Sequence, residues 1–279
     1  MLLQRGTPSP HREHRGRRNL VDSELDNVEA HGPRLRERGE AFPFPRGGPG
    51  RHSGLRILAG SAGSAFFVTL AVLAVAAVAV VIEDWSAYPL GTRGLPVGWQ
   101  RQSWGNPAYD FTIDETDGRR VLHMKSHNEN STITKDIKGK VNLSETPILE
   151  WSWKAVTLPR GGDVRHGETD DEVAQLYVAW PRFPEAVRSR IIGYVWDTTA
   201  PVGTTVPSEK TRTVTYIVIR SGPADLGQWW TERRNVAADF KRIYGEEPEN
   251  PGAISVGINT NNTRSVAEAH VGPILFRTP

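Results

Sequence analysis

Twenty-six consecutive residues, Ile57 to Ile82, carry no charge, and the stretch from Ala65 to Ile82 (AFFVTLAVLAVAAVAVVI) is the most apolar part of the chain. As a helix, such a run rises about 39 Å, enough to cross roughly 30 Å of bilayer hydrocarbon. A secretory signal has an apolar region about half as long. Arg46, Arg51 and Arg56 precede the run, while Glu83 and Asp84 follow it. The excess of cations before the span places the N-terminus in the cytoplasm and everything after it outside. The expectation is a single-pass inner-membrane protein with a transmembrane helix over residues 55–82. A cleavable signal cut near Ala77-Val78-Ala79 is the alternative reading.

That run divides the chain into unequal parts. Residues 1–54 are rich in Arg, Pro and Gly and have too few large apolar side chains to offset the entropy of ordering. They read as a disordered basic tail, or as residues upstream of the true start. Residues 1–56 hold eleven Arg against seven acids, and residues 83–279 hold twenty-three Lys or Arg against twenty-five acids. The basic balance therefore belongs to the tail, and the folded part lacks the clustered cations that nucleic-acid binding needs. No cysteine is present, which removes disulfides, thiolate metal sites and a cysteine nucleophile.

Residues 83–98 read as a Gly- and Pro-containing linker, and residues 99–279 as one mostly β domain. Strand signals recur over 120–126, 131–137, 148–156, 172–180, 191–196, 214–221, 254–258 and 268–276, divided by Gly, Pro, Asn and Asp. Alternation is clearest in ILEWSWKAV, where Leu149, Trp151, Trp153 and Ala155 share one face. Eight or more strands in about 180 residues predict an antiparallel β-sandwich of the jelly-roll kind. Helical spacing of Trp229, Val236, Phe240 and Ile243, with Gly245 beyond, predicts one helix from Leu226 to Tyr244.

The ordered segments ILEWSWKAV, ETDDEVAQLYVAW, RIIGYVWD, RRNVAADFKRIYGEEP and SVGINTNNT resemble domain-of-unknown-function family 3047, a bacterial family of secreted or membrane-anchored proteins. The resemblance covers nearly all of residues 84–278. It implies a β-sandwich and carries no established activity. The family pattern has two acids in the last loop, where this chain has Asn259 and Asn261, and an Arg where this chain has Gln175. If those acids hold a cation in the family, this chain is expected to hold it weakly or not at all.

Several groups of residues have chemistry to offer. Asp163, Glu168, Asp170, Asp171 and Glu172 crowd a Gly-rich loop, a donor set suited to calcium or, for Asp170 and Asp171, to acid–base work. Otherwise they cap turns in a solvated loop. Arg234, Asn235 and Asp239 could hydrogen-bond sugar hydroxyls, or tie a helix to its neighbours. Trp196 and Asp197, near Trp180 and Tyr194, form a possible stacking wall, with the core as the alternative place for such rings. His123 and His127 would share a strand face about 13 Å apart, too far to bind one zinc ion. The expected function is binding of a glycan or other polyhydroxylated envelope ligand by a membrane-anchored, periplasm-facing domain, with no required cofactor. The alternatives are a polysaccharide hydrolase or lyase working through Asp170 and Asp171, and a structural partner in an envelope complex.

Overall fold

The computed structural model describes residues 78–279. The expected tail and most of the expected transmembrane helix lie outside these residues. Among the described residues, no helix is long and apolar enough to cross a membrane.

Thirteen strands and two short helices follow in order: β1 (Ala79–Glu83), β2 (Gln100–Arg101), β3 (Asp110–Thr116), β4 (Arg119–His127), β5 (Asn130–Asp136), β6 (Ile148–Thr157), β7 (Ala174–Trp180), α1 (Glu185–Arg188), β8 (Arg190–Asp197), β9 (Thr205–Pro207), β10 (Val214–Ser221), β11 (Trp230–Asn235), α2 (Val236–Tyr244), β12 (Ala253–Asn259) and β13 (Val266–Arg277). They form two sheets. One runs β11-β6-β13-β4-β3, with β1 also paired to β13, and the other runs β2-β5-β12-β7-β8-β10-β9. This is a β-sandwich, as expected. It is not wholly antiparallel, because β8 and β10 pair in parallel.

The core lies between the sheets and is built by alternation. Leu149, Trp151, Trp153 and Ala155 of β6 are all at most 1% exposed, and they face Leu176, Val178, Tyr194, Trp196, Val256 and Ile258 from the other sheet. Trp151 packs on Tyr194 at 5.4 Å and Trp153 on Trp196 at 6.0 Å between ring centroids, which locks the two layers together.

The domain begins earlier than the sequence suggests. Ala79–Glu83 is a strand paired with the end of β13, and Ile82 is buried. The last residues of the apolar run thus belong to the sandwich, because β13 turns a free edge to them beyond its pairing with β4. Residues 83–98 are likewise not a free linker. Trp85 is fully buried, stacks on Trp99 at 5.4 Å and donates from Nε1 to the carbonyl of Gly272 at 2.9 Å. Glu83, 5% exposed, accepts from Lys135 at 2.7 Å and from Trp99 Nε1 at 3.0 Å, contacts that hold its carboxyl below the ordinary range despite burial.

The expected helix from Leu226 is also shorter. Trp230–Asn235 forms β11 against β6, where Arg233 meets Glu150 at 2.6 Å and Glu232 accepts from Trp153 Nε1 at 3.1 Å. The helix starts only after Asn235, which caps it by accepting from the Ala238 amide at 2.9 Å.

Trp85→Ala is expected to cost about 3–5 kcal/mol, the usual range for emptying a fully buried large aromatic site. Urea unfolding checks this. An unchanged midpoint would return residues 83–98 to the status of a linker.

Candidate functional site

The second face of the seven-stranded sheet is what core alternation leaves over. Residues between the buried positions of β5, β12, β7, β8 and β10 point away from the core: Thr132, Ser255, Gln175, Tyr177, Gly193 and Tyr216 among them. Register sets them in rows. Ser255, Tyr177, Gly193 and Tyr216 lie across four adjacent strands, and Thr132, Gly257 and Gln175 form the neighbouring row.

Two glycines make these rows a depression. A Cβ at Gly193 would stand 2.8 Å from the ring of Tyr177 and 3.0 Å from that of Tyr216. A Cβ at Gly257 would stand 2.6 Å from Gln175 Oε1 and 2.7 Å from Thr132 Oγ1. Their absence lets the tyrosine rings and the glutamine amide lie across the sheet. The resulting cleft has a volume of about 380 Å³, with Trp104, Asn130, Asn259, Asn261 and Lys210 on its walls.

At one end of the cleft sit two acids without a paired cation. Asp170 is 4% exposed and Glu172 fully buried. Asp170 Oδ2 accepts from the Tyr216 hydroxyl at 3.5 Å, and Glu172 Oε2 accepts from the Gln175 amide. Their other oxygens, Asp170 Oδ1 and Glu172 Oε1, are buried and have no donor, as is Gln175 Oε1. Burial raises both carboxyls, Glu172 well above its ordinary range, and the charge of Asp170 adds to the rise in Glu172. The fully enclosed Glu172 is the more strongly raised of the two, because its burial is complete and Asp170 adds its charge. Asp170, at the cleft, is drawn part of the way back down by Lys210. Burial also pushes the Tyr177 and Tyr216 hydroxyls far above 10, so both stay neutral donors.

Of the residues singled out from sequence, Asp170, Asn259 and Asn261 meet at this cleft. Asn259 is buried, and its amide donates to the Asp170 carbonyl at 2.5 Å. The others have different duties. Asp171 spends both oxygens on the amides of Asn262 (3.1 Å) and Thr263 (2.6 Å), pinning the β12–β13 loop. Asp197 accepts from the amides of Val164, Thr199 and Ala200 at 2.6–2.9 Å. Trp196 is fully buried between the sheets, not in a stacking wall. Asp239 takes a two-pronged contact from Arg234 and the Tyr194 hydroxyl at 3.0 Å, so Arg234, Asn235 and Asp239 tie α2 to the sheet. Asp163 is gripped by Arg165 at 2.7 Å and by Thr199 at 3.0 Å, while Glu168 is exposed. The loop acids therefore do not converge on one calcium ion.

Gln175, Tyr177 and Tyr216 were absent from the expected set, yet their signal was present. In AQLYVAW, Gln175 and Tyr177 alternate with Leu176, Val178 and Trp180, marking a second, polar face.

Asp170 is the one acid among the residues that line the cleft. Neutral amides, hydroxyls and aromatic rings around one carboxylate suit recognition of a ligand rich in hydroxyl groups.

A carboxyl with a raised value is protonated when folded, so its stabilising contribution is present at low pH and lost as pH rises through that value. Glu172→Gln removes this loss. The variant is expected to gain stability on the wild type as pH rises above the ordinary glutamate range, where the wild type begins to lose its own. Parallel urea-midpoint curves for the two proteins across that range would mean Glu172 holds no extra proton.

Comparisons with known proteins bear on the domain as a whole. Residues 97–275 match the family described as Protein of unknown function (DUF3047). A search of curated proteins gives no match. Similar solved structures include a family 11 carbohydrate-binding module from Clostridium thermocellum in complex with a β-1,3-1,4-mixed-linked tetrasaccharide, at 9% identity over 71% of this chain and 94% of that one, with a TM-score of 0.39. Another is the CBM22-1 xylan-binding domain from Paenibacillus barcinonensis Xyn10C, at 11% identity over 69% and 98%, TM-score 0.33. A third is the xyloglucanase domain of NopAA, a type three effector from Sinorhizobium fredii, in complex with cellobiose, at 12% identity over 64% and 93%, TM-score 0.36. Likeness of this extent does not transfer a ligand.

Proposed function

The chain belongs to the DUF3047 family, and we propose that this member is a membrane-anchored, periplasm-facing module whose cleft on the seven-stranded sheet binds a glycan or other polyhydroxylated envelope ligand. The observation that carries the reading is the make-up of the cleft. Tyr177 and Tyr216 offer ring faces, Asn130, Gln175, Asn259 and Asn261 offer amides, Thr132 and Ser255 offer hydroxyls, and a single carboxylate, Asp170, accepts from a ligand hydroxyl. Sugars present ring faces of C–H groups and a rim of hydroxyls, and they are met by aromatic surfaces bordered with amides and carboxylates. Trp104, 58% exposed at the rim, adds a further stacking surface.

The membrane tether rests on the sequence. With Ala79–Glu83 assigned to the sandwich, residues 57–78 remain as an uncharged run of twenty-two, about 33 Å as a helix and still sufficient to span. Fractionation of cells expressing the full-length chain should find it in the inner membrane, with the C-terminal domain open to protease in spheroplasts. A soluble cytosolic product would end this part of the reading.

For the ligand, a glycan array probed with the full-length chain in detergent should give a restricted set of oligosaccharides. Trp104→Ala and Tyr177→Ala should each weaken the best of them about tenfold, near 1.4 kcal/mol. Arg234→Ala, far from the cleft in function, should lower stability without changing which glycans bind. Failure of every glycan to bind, or binding indifferent to both aromatic substitutions, would remove the assignment.

A further inference from the structure

The opposite sheet carries a second constellation on its outer face, unrelated to the cleft. Thr112, His123, His270 and Lys154 lie across β3, β4, β13 and β6 in one row, and Asp114 and Glu268 sit two residues along their strands on the same face. One ligand atom each from Asp114, His123 and His270 lies within 4.8 Å of the others. His123 alone could not have shown this, since its partner arrives from the far end of the chain.

The hydrogen-bond pattern gives the three residues separate roles. His123 Nε2 stands 2.7 Å from Glu268 Oε1. A carboxylate only accepts, so that nitrogen donates, and in the neutral imidazole Nδ1 keeps its lone pair. Nδ1 faces Asp114 Oδ2 at 3.9 Å, a separation that leaves both acceptors without a donor between them. His270 is 9% exposed, and its Nδ1 is buried with no hydrogen-bond partner. Lys154, the nearest cation along the row, is held by Asp117 at 3.2 Å and Thr116 at 3.3 Å. One donor atom from each of three residues thus converges within 4.8 Å on this face.

The geometry points to a site for a divalent transition metal, with Asp114, His123 and His270 as ligands and Glu268 as the carboxylate that orients His123. A carboxylate behind a metal-binding histidine fixes its tautomer and raises its basicity, the arrangement seen here. Two imidazoles and a carboxylate suit zinc, copper or nickel and not calcium. Zinc bonds of about 2.0–2.1 Å set ligands roughly 3.4 Å apart, so donors within 4.8 Å of one another must close by up to about 1.4 Å. Asp114, with a side chain 51% exposed, has the freedom to do so. The imidazoles now stack at 4.3 Å with 12° between planes, and binding requires them to splay, because a metal lies in the plane of each ring it bonds. Three protein ligands leave a fourth position for water or a ligand group.

The full-length chain without a histidine tag, stripped with chelator and titrated calorimetrically with Zn²⁺ alone, should bind one ion per chain. His123→Ala should weaken binding at least tenfold. Glu268→Gln, which keeps every ligand, should weaken it by about 10–100-fold. Asp114→Asn, at the exposed edge, serves in place of His270→Ala should the latter fail to fold. Co²⁺ in the same site should give visible absorption bands that the His123→Ala protein lacks. Asp170→Asn should leave zinc affinity unchanged. No binding at zinc concentrations on the order of 100 µM, or affinity unchanged in both His123→Ala and Asp114→Asn, overturns the assignment.

Discussion

Each strand of a two-layer sandwich has to satisfy two faces at once, and the tryptophan layer decides how. Trp151 and Trp153 on β6 meet Tyr194 and Trp196 on β8 across the core. A shift of either strand by one residue would send these rings to solvent and bring charged or polar neighbours inward, so register is fixed by packing. Once register is fixed, the positions between the core residues are fixed as well. The cleft of Gln175, Tyr177 and Tyr216 and the histidine row on the other sheet are both consequences of the same interior. The floor of such a site is placed by strands packed on their other side, and loops add Trp104, Asp170, Lys210 and Asn261 around it.

The fate of the buried acids separates supporting groups from chemical ones. Asp239 is neutralised by Arg234, Asp163 by Arg165, and Asp171 and Asp197 by backbone amides. Each is a closed account: the charge is met, and no lone pair is left to face a ligand. Asp170 and Glu172 differ, since each keeps a buried oxygen with no donor, whereas Asp197, also raised by burial, has its oxygens met by three amides. Keeping an uncompensated acid in a protein interior is costly. Of the two, Asp170 is the one that lines the cleft, beside the Tyr216 hydroxyl.

Much of the architecture was legible because it rests on period-two patterns. Leu149, Trp151, Trp153 and Ala155 declared both a strand and its inner face. The edge elements were less legible. Ala79–Ile82 reads as membrane span because its residues are apolar, and only the free edge of β13 makes them a strand. Thr231–Asn235 reads as the start of a helix because Trp229 and Val236 fit a helical spacing. The cross-strand pair Arg233–Glu150 and the cap at Asn235 override that spacing. The site was legible in part. Asp170 stood out as one of a crowd of acids, but nothing in the linear order distinguished it from Asp171, whose oxygens are spent on two amides. Trp196 and Asp197 were attractive by residue type and ruled out by the direction they face. His123 and His270 became neighbours only through pairing between β4 and β13.

The two outer faces differ in a way that follows from which residues the strands could spare. On the seven-stranded sheet, Gly193 and Gly257 lower the floor, and the groups around them are neutral amides, hydroxyls and phenols that no core contact requires. Such a surface pairs many weak, directional contacts with little net charge, which suits a hydroxyl-rich ligand that is itself uncharged. On the six-stranded sheet, the row is filled by imidazoles and flanked by carboxylates, and there is no glycine to open a groove between His123 and His270. A flat surface of close, unshared lone pairs has no room for a sugar ring, whereas an ion needs only a few ångströms between donors. One interior has therefore set out a shallow receptacle on one side and a point-like donor set on the other, and ligand size separates their chemistry.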